Sequence, residues 1–222
     1  MDRMFRIARK WSNETLKKYA ELFDGTIVNV SAWKDYDKCG MYYKEYFKNS
    51  ESYTITNYGE GYSGTSGTNN EFKLNLENKL KDELIGKFNV VFNHTTLEHI
   101  YNVQLAFKNL CLLATDAVIV VVPFSQVQHT EDAYKDYWRF TPFAMQKMFE
   151  VNNYTMVTCE YNDNVNAAIY LLCIGINNKQ LEKYSSKFKK YIIDEEKNVA
   201  GKNIGVTPNE LIKRLRKKKY GT

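Results

Sequence analysis

Apolar and polar positions along the first half of the chain predict one helix and several short strands. Four apolar side chains recur with the spacing of an amphipathic helix at about residues 13–23: Leu16, Tyr19, Ala20 and Phe23. Asn13 is its expected N-cap. Apolar or alternating runs then predict strands at residues 26–30, 53–57, 72–76 and 88–92, and a short tyrosine-rich helix at residues 41–47.

The second half of the chain contains stronger signals. Asn102 is a good N-cap for a helix with an apolar stripe formed by Val103, Ala106, Phe107, Leu110 and Ala114. Residues 117–122 (AVIVVV) are the most β-branched run and predict the centre of a parallel sheet. Thr141 followed by Pro142 starts a further helix, with Met145, Met148 and Phe149 on its buried face.

Two last strands are predicted at residues 154–159 and 167–174, separated by the turn-like residues 162–166. So short a separation predicts an antiparallel hairpin. The fold class is therefore α/β: a three-layer α/β/α sandwich around a seven-stranded, mostly parallel sheet with a C-terminal antiparallel hairpin. We assign this domain to residues 1–178, with its core at about residues 24–176. Residues 179–222 are expected to form a basic helical extension, with helices at residues 180–191 and from Thr207 onward.

The composition is that of a single globular domain with an appendage. With 222 residues, 44% of them hydrophobic, the chain is large enough for a core and too apolar to be disordered throughout. The longest apolar run, residues 167–176, is too short to span a bilayer, and the basic N-terminus lacks the apolar region of a signal peptide. Four cysteines without a CxxC pair are typical of reduced thiols. We therefore expect a cytoplasmic protein without a zinc site or a disulfide framework.

The charge is spread unevenly along the chain. The net charge is +5, but residues 179–222 hold thirteen basic and five acidic side chains, which leaves −3 for residues 1–178. Six of the seven residues at 213–219 (KRLRKKK) are cations. This run is either an arm for an anionic partner or a solvated helix that aids solubility. No aromatic stacking residues accompany it, so we expect no nucleic-acid partner.

Residues 59–64 (GEGYSG) match the GxGxxG pattern of a dinucleotide-binding turn. That pattern binds a pyrophosphate where it opens a helix, because the first N–H groups of the helix point at the phosphates. Residues 65–70 (TSGTNN) are poor helix formers. We therefore reject an NAD site and interpret residues 59–68 as a surface loop.

Polar residues follow the predicted strand at residues 88–92. Residues 93–99 (NHTTLEH) hold two of the three histidines of the chain, where ligands bind in parallel α/β sheets. Histidine is the common general base near neutral pH, and Glu98 either orients His99 or shares a metal site with it. The alternative is structural: a threonine caps a turn, Glu98 accepts from backbone N–H groups, and both histidines are satisfied within the fold.

A long polar and aromatic segment, residues 123–142 (PFSQVQHTEDAYKDYWRFTP), follows the predicted central strand. Such a segment is either a lid or a structural brace. Arg139 pairs with Asp136 in the structural interpretation and binds an anionic substrate group in the functional one. Our candidates for substrate binding are His129, Asp136, Tyr137 and Arg139.

Three stretches together, FNVVFNHTTLEHI, AVIVVVPF and DYWRFTP, resemble class I S-adenosylmethionine-dependent methyltransferases over roughly residues 24–176. The narrower similarity is to methyltransferase-domain proteins found with surface-polysaccharide biosynthesis genes. The strand that ends in TxLEH matches their fourth motif, and YWRFTP matches the region that faces the acceptor. The resemblance implies a Rossmann-like fold, S-adenosylmethionine as the cofactor and S-adenosylhomocysteine as the product.

The resemblance also implies cofactor contacts. The first motif, rich in glycine in the family, here reads NVSAWKDYD without any glycine. Its contacts fall on Asn29, Ser31, Ala32, Trp33 and Asp35, and the carboxylate of either Asp35 or Asp37 takes the cofactor's ammonium group. Other contacts of the cofactor are expected from the later motifs: Asn57 at the ribose, Asn75, Leu76 and Glu77 near the adenine, and Asn93 and His94 beyond the fourth strand.

The implied activity is O-methylation of a small molecule, namely a sugar or an activated glycan precursor. The sulfonium already activates the methyl group, so the protein aligns the reactants and removes the acceptor's proton. The first candidate for the base is His99, oriented by Glu98; His129 is the second, and His94 is a further candidate. An alternative is a methyltransferase-like fold without catalysis that acts as an assembly or binding subunit. The use of a metal stays open.

Overall fold

The structure is a computed structural model that describes residues 3–59, 70–132, 134–162 and 167–193, with side chains from Arg6 onward. The predicted helix from Thr207, the basic run at residues 213–219 and nearly all of the predicted loop at residues 59–68 lie outside these residues.

Seven strands form one sheet in the order β3-β2-β1-β4-β5-β7-β6. The strands from β3 to β5 are parallel, and β7 runs antiparallel to both of its neighbours. This arrangement confirms the predicted fold class, including the terminal hairpin. The strand bounds are β1 Gly25–Val30, β2 Ser50–Asn57, β3 Glu71–Lys73, β4 Phe88–His94, β5 Ala114–Ser125, β6 Tyr154–Tyr161 and β7 Ile169–Asn177.

Helices cover both faces of the sheet. Alternate residues of a strand point to opposite faces, so Ile27 and Phe92 pack on the side of α1 (Arg3–Ala20), whereas Val28 and Val91 pack on the opposite side. That opposite side is covered by α2 (Val103–Leu113) and α3 (Pro142–Glu150). A fourth helix, α4 (Leu181–Tyr184), packs near α1. None of the helices in the described ranges has the length and apolar content to cross a membrane.

Two of the predicted N-cap residues act as caps. The Asn102 side chain accepts a hydrogen bond from the Leu105 N–H, and the Thr141 side chain accepts one from the Ala144 N–H. Both predicted helix starts are therefore confirmed.

Several predicted bounds are wrong. Helix α1 begins at least ten residues before Asn13, which lies inside it and bonds Asp37 and Tyr43 instead of capping. The predicted helix at residues 41–47 is a single 3-10 turn, Tyr43–Glu45. β3 is shorter than expected, and the helix expected at residues 180–191 ends at Tyr184. Tertiary contacts, which local periodicity does not contain, set these limits.

The order of the strands reverses between β1 and β4, because the chain builds outward from β1 to β3 and then returns to β4 beside β1. At such a switch point the loops after the two strands diverge and leave a crevice at the carboxyl edge. Residues 31–42 follow β1 at this edge, Asn93 and His94 end β4 there, and residues 95–99 follow β4.

Candidate active site

The loop after β1 replaces a glycine-rich turn with unusual backbone angles. Ser31, Trp33 and Asp35 have φ values of +60°, +53° and +58°, a region that glycine adopts most readily. The N–H groups of Ser31 and Ala32 donate to Thr56 at 3.2 and 3.0 Å, and that of Trp33 donates to Asn57 Oδ1 at 2.6 Å. The backbone donors that a glycine turn would offer to a ligand are thus bound to β2.

Asp35 is held within the protein. Its Oδ1 accepts from Asn29 Nδ2 at 2.8 Å and from the Tyr53 hydroxyl at 2.7 Å, and its Oδ2 accepts from the Lys44 N–H at 3.0 Å. Burial raises the pKa of this carboxyl group, and these hydrogen bonds oppose the rise. Asn29 and Asp35 therefore bind each other and leave little capacity for an ammonium group of a ligand.

The other residues expected at the ribose and adenine also brace neighbouring segments. The Asn57 amide donates to the Trp33 carbonyl and to Glu71. Glu77 Oε1 accepts from the Asn102 N–H at 3.1 Å, which ties this segment to the start of α2, and Asn75 accepts from the Glu77 N–H. Leu76 is part of the core.

Asn93 and His94 end β4 inside the crevice. Asn93 donates to the Val30 carbonyl, but its buried Oδ1 has no partner. His94 Nδ1 lies 2.9 Å from Arg9 Nη1, and a guanidinium only donates, so Nδ1 accepts and Nε2 carries the proton toward Ser12 at 2.9 Å. Burial, and then the charges of Arg9 and Lys38, keep the pKa of His94 well below its usual value. His94 is a buried, neutral structural partner of α1.

Glu98 lies in a 3-10 turn, Leu97–His99, directly beyond β4. Its side chain is 1% exposed, and its Oε2 has no hydrogen-bond partner. Burial raises the pKa of Glu98 to about 8, against the opposing effects of its own backbone and of Arg9. This carboxyl group is therefore protonated and neutral at pH 7.

His99 is oriented by the segment after β5. Its Nδ1 lies 2.7 Å from the Lys135 carbonyl oxygen, which only accepts, so Nδ1 carries the proton and the lone pair lies on Nε2. Nε2 is 3.8 Å from Glu98 Oε1, too far for a direct hydrogen bond. Burial lowers the pKa of His99, so the ring is neutral at pH 7. His99 thus has the protonation state and tautomer of a general base.

Residues 134–139 are fixed against this turn. The N–H groups of Tyr137 and Trp138 donate to the Glu98 carbonyl at 2.8 and 3.2 Å. Asp136 accepts two hydrogen bonds from Arg139, at 2.6 and 2.7 Å, and one from the His129 N–H. Arg139 therefore forms the brace of the structural interpretation. The same brace brings the His129 ring to 5.0 Å from the His99 ring.

Exposed aromatic rings border the cluster. Tyr101 is 70% exposed, and its ring lies 5.5 Å from that of Tyr137 and 6.5 Å from that of Trp138. The indole N–H of Trp138 donates to the Ile100 carbonyl, so the ring is held in place. We call these three residues the aromatic rim.

The structure brings together Glu98, His99, His129, Asp136 and Arg139. The sequence indicated these residues in two separate stretches, and their proximity is a finding of the structure. Across the described ranges, no group of three histidine, cysteine or acidic side chains is placed to hold a metal ion. Sequence reasoning missed Arg9 and Ser12, which contact His94. Their three-residue spacing places both on one face of α1, but we began that helix at residue 13.

Comparisons with known proteins agree with this geometry at the level of the fold. No protein-family model matches the chain, and no curated protein matches it in sequence. Solved structures do match: 1,6-didemethyltoxoflavin-N1-methyltransferase from Burkholderia thailandensis, with bound S-adenosylhomocysteine, has a TM-score of 0.56 at 12% identity over 77% of this chain and 78% of that chain. The chain has the fold of class I methyltransferases.

Two further structures support the same conclusion. Magnesium protoporphyrin IX methyltransferase from Synechocystis PCC 6803, with bound S-adenosylmethionine, gives a TM-score of 0.52 at 9% identity, over 77% of this chain and 80% of that chain. An S-adenosylmethionine-dependent methyltransferase from Clostridium acetobutylicum gives 0.53 at 7% identity, over 76% and 91%. Identities this low establish the fold alone.

Proposed function

We propose that the protein is an S-adenosylmethionine-dependent methyltransferase that methylates a hydroxyl group of a small acceptor, with His99 as the general base. The observation that carries the proposal is the lone pair of His99 Nε2 beside the neutral Glu98, at the carboxyl edge of a methyltransferase fold. The matched structures with bound S-adenosylmethionine or S-adenosylhomocysteine support this donor.

In the crevice, side-chain polar atoms are better placed to bind such a donor than the backbone N–H groups of the loop after β1. Three buried polar atoms there lack partners: Arg9 Nε, Asn93 Oδ1 and Glu98 Oε2. Buried polar groups in native proteins are nearly always paired, so unpaired ones at a switch point are consistent with a polar ligand. Asn93 Oδ1 is an acceptor suited to an ammonium group, which makes it a better candidate for that contact than Asp35.

When bound, S-adenosylmethionine supplies a methyl group activated by its sulfonium and leaves as S-adenosylhomocysteine. His99 Nε2 accepts the proton of the acceptor hydroxyl, while the Lys135 carbonyl holds the protonated Nδ1 and stabilises the imidazolium that forms. A positioned base of this kind contributes about 10²–10⁴-fold to the rate. Glu98, neutral at pH 7, donates a hydrogen bond that orients the acceptor.

We assign the acceptor to sugars or activated glycan precursors because of the aromatic rim. The apolar face of a sugar ring packs on exposed aromatic side chains. Tyr101, Tyr137 and Trp138 offer such faces, and Tyr137 and Trp138 are bound through their N–H groups to the turn that carries His99. Lys135, whose carbonyl binds His99, is the expected partner for an acidic group on the acceptor.

The test has two readouts. Calorimetry with S-adenosylhomocysteine should show one site per chain, and methyl-labelled S-adenosylmethionine should transfer label to hydroxylated compounds in a protein-free metabolite extract. The transferred label should stay with neutral or acidic sugar fractions. Absence of binding at millimolar ligand would discard the proposal, and label found on amines would discard the hydroxyl acceptor.

A second candidate is a methyltransferase-like subunit without catalysis. It is favoured by the loop at residues 31–33, whose N–H groups are all bound to β2. Ultraviolet absorbance distinguishes the methyltransferase from the non-catalytic subunit. A methyltransferase purified in the presence of the donor should release a nucleoside, detected by its absorbance, when it is denatured. A purely structural subunit would release none.

A further inference from the structure

Arg9 is a half-buried cation whose Nε is fully buried. Its Nη1 contacts His94 Nδ1 at 2.9 Å and the Tyr43 hydroxyl at 3.2 Å, and its Nη2 contacts Thr95 Oγ1 at 3.0 Å. All three partners are neutral groups. Nε is buried and donates to nothing, and Arg9 forms no ion pair within the described ranges.

No carboxylate among the described residues neutralises this charge at pH 7. Glu98 is near enough to act on the pKa of Arg9, but it is protonated, because burial raises its own pKa to about 8. Lys38, from the loop after β1, adds a second cation: its charge and that of Arg9 both lower the pKa of His94. Burial and the charge of Arg9 lower the pKa of Lys38, and the negative charge of Glu131, in the segment after β5, opposes these effects. An uncompensated buried charge is costly, so this end of β4 favours an anion.

The loop after β1 explains why a cationic side chain is needed to bind an anion here. A carboxylate at the switch point is ordinarily within reach of backbone N–H groups in the turn after the first strand. Here the N–H groups of Ser31, Ala32 and Trp33 are bound to Thr56 and Asn57. Arg9, on α1, supplies side-chain N–H donors at this position that suit an anion.

We infer that Arg9 binds the carboxylate of the amino-acid part of the methyl donor. The inference rests on the proposed function and extends it, because it assigns the contact to α1 and not to the loop after β1. A guanidinium presents paired N–H donors that match a carboxylate, and the free Nε together with Nη is one such pair. Ser12 and His94 hold Arg9 in place through a continuous chain of hydrogen bonds.

The test compares two ligands that differ only in the carboxylate: S-adenosylhomocysteine and its decarboxylated analogue. By calorimetry, the unmodified protein should bind S-adenosylhomocysteine about 10–100-fold more tightly, as expected for a charge-assisted hydrogen bond. Arg9→Met should reduce this ratio to within about 3-fold, mainly by weakening the first ligand. Lys10→Met, a neighbouring exposed lysine on the same helix, should leave the ratio unchanged.

Each outcome is decisive. An unmodified protein that binds neither ligand contradicts the proposed function itself, whereas one that binds both equally contradicts only the carboxylate assignment. A ratio that persists in Arg9→Met also overturns the assignment. If Arg9→Met fails to fold, Arg9→Lys replaces it and should reduce the ratio by about 2–10-fold. No change in Arg9→Lys would reject the inference.

Discussion

The two halves of the carboxyl edge of the sheet use their polar side chains in different ways. The donor half consists of the ends of β1, β2 and β3 with residues 31–42, and there Asp35, Asn57 and Glu77 are all bound to neighbouring segments. The acceptor half consists of the ends of β4 and β5 with residues 97–99 and 126–139. Unpaired buried atoms occur in or beside the acceptor half and, among the described residues, not in the donor half.

This difference distinguishes residues that stabilise the fold from residues that are available to bind a ligand. Paired polar groups stabilise one conformation, whereas a buried polar atom without a partner costs about 1–3 kcal/mol and persists where a ligand or water satisfies it. We therefore expect substitutions in the donor half to reduce stability and substitutions in the acceptor half to reduce activity. Substitutions in the two halves test this expectation.

The largest effect is expected from His99→Asn. The Asn amide replaces Nδ1 as a donor to the Lys135 carbonyl but supplies no base at the position of Nε2. Methyl transfer from labelled S-adenosylmethionine should fall by about 10²–10⁴-fold, with the free energy of unfolding unchanged within about 1 kcal/mol. Lys108→Met, on the exposed side of α2, is the control. Undiminished transfer would exclude His99 as the base.

In the donor half, Asp35→Ala is expected to reduce the free energy of unfolding by about 3 kcal/mol. It leaves the Asn29 amide, the Tyr53 hydroxyl and the Lys44 N–H without their acceptor. Urea denaturation measures the loss. A stable variant that has lost S-adenosylhomocysteine binding would instead place Asp35 in the ligand site, as the sequence first suggested.

Glu98→Gln is expected to stabilise the protein increasingly as the pH rises. Folded Glu98 keeps its proton up to about pH 8, while the unfolded chain has already released it, so the folded state binds more protons. Stability of the unmodified protein should therefore fall by up to about 1.4 kcal/mol per pH unit, and Gln removes this loss.

The effect of Glu98 on the free energy of unfolding is best measured between about pH 6.5 and 8. Below this range, His94 and His99 also contribute, because their pKa values are lowered in the folded state and their protonation favours unfolding. Urea curves at three pH values suffice, with the exposed Glu51→Gln as the control. Parallel pH dependences for Glu98→Gln and the unmodified protein would show that Glu98 is ionised.

The smallest effect is expected from Ser31→Gly. Glycine accepts the positive φ of this position, at a cost in backbone entropy, so the free energy of unfolding should rise by no more than about 1 kcal/mol. Donor binding should not change, because the Ser31 N–H remains bound to Thr56. A large gain in affinity would show that the missing glycine limits the loop after β1.

The sequence predicted what local patterns and the family resemblance determine. Asn102 and Thr141 act within three residues of their helix starts. The β-branched run correctly predicted a buried strand, but its placement at the centre of a parallel sheet is wrong: β5 is the last parallel strand and pairs with the antiparallel β7. Contacts between distant segments could not be predicted. His94 meets Arg9 across 85 positions, and the tautomer of His99 depends on a carbonyl 36 positions away. The loop after β1 was expected to bind the donor. The fold shows that the N–H groups of Ser31, Ala32 and Trp33 in this loop are bound to β2.

The most direct measurement is a crystal structure of the protein soaked with S-adenosylhomocysteine. The ligand should occupy the crevice between β1 and β4, with its carboxylate at Arg9 and its sulfur facing the side of His99 and Glu98. A crevice that stays empty at saturating ligand, or a ligand bound away from β4, would contradict the assignment of this protein as a methyltransferase.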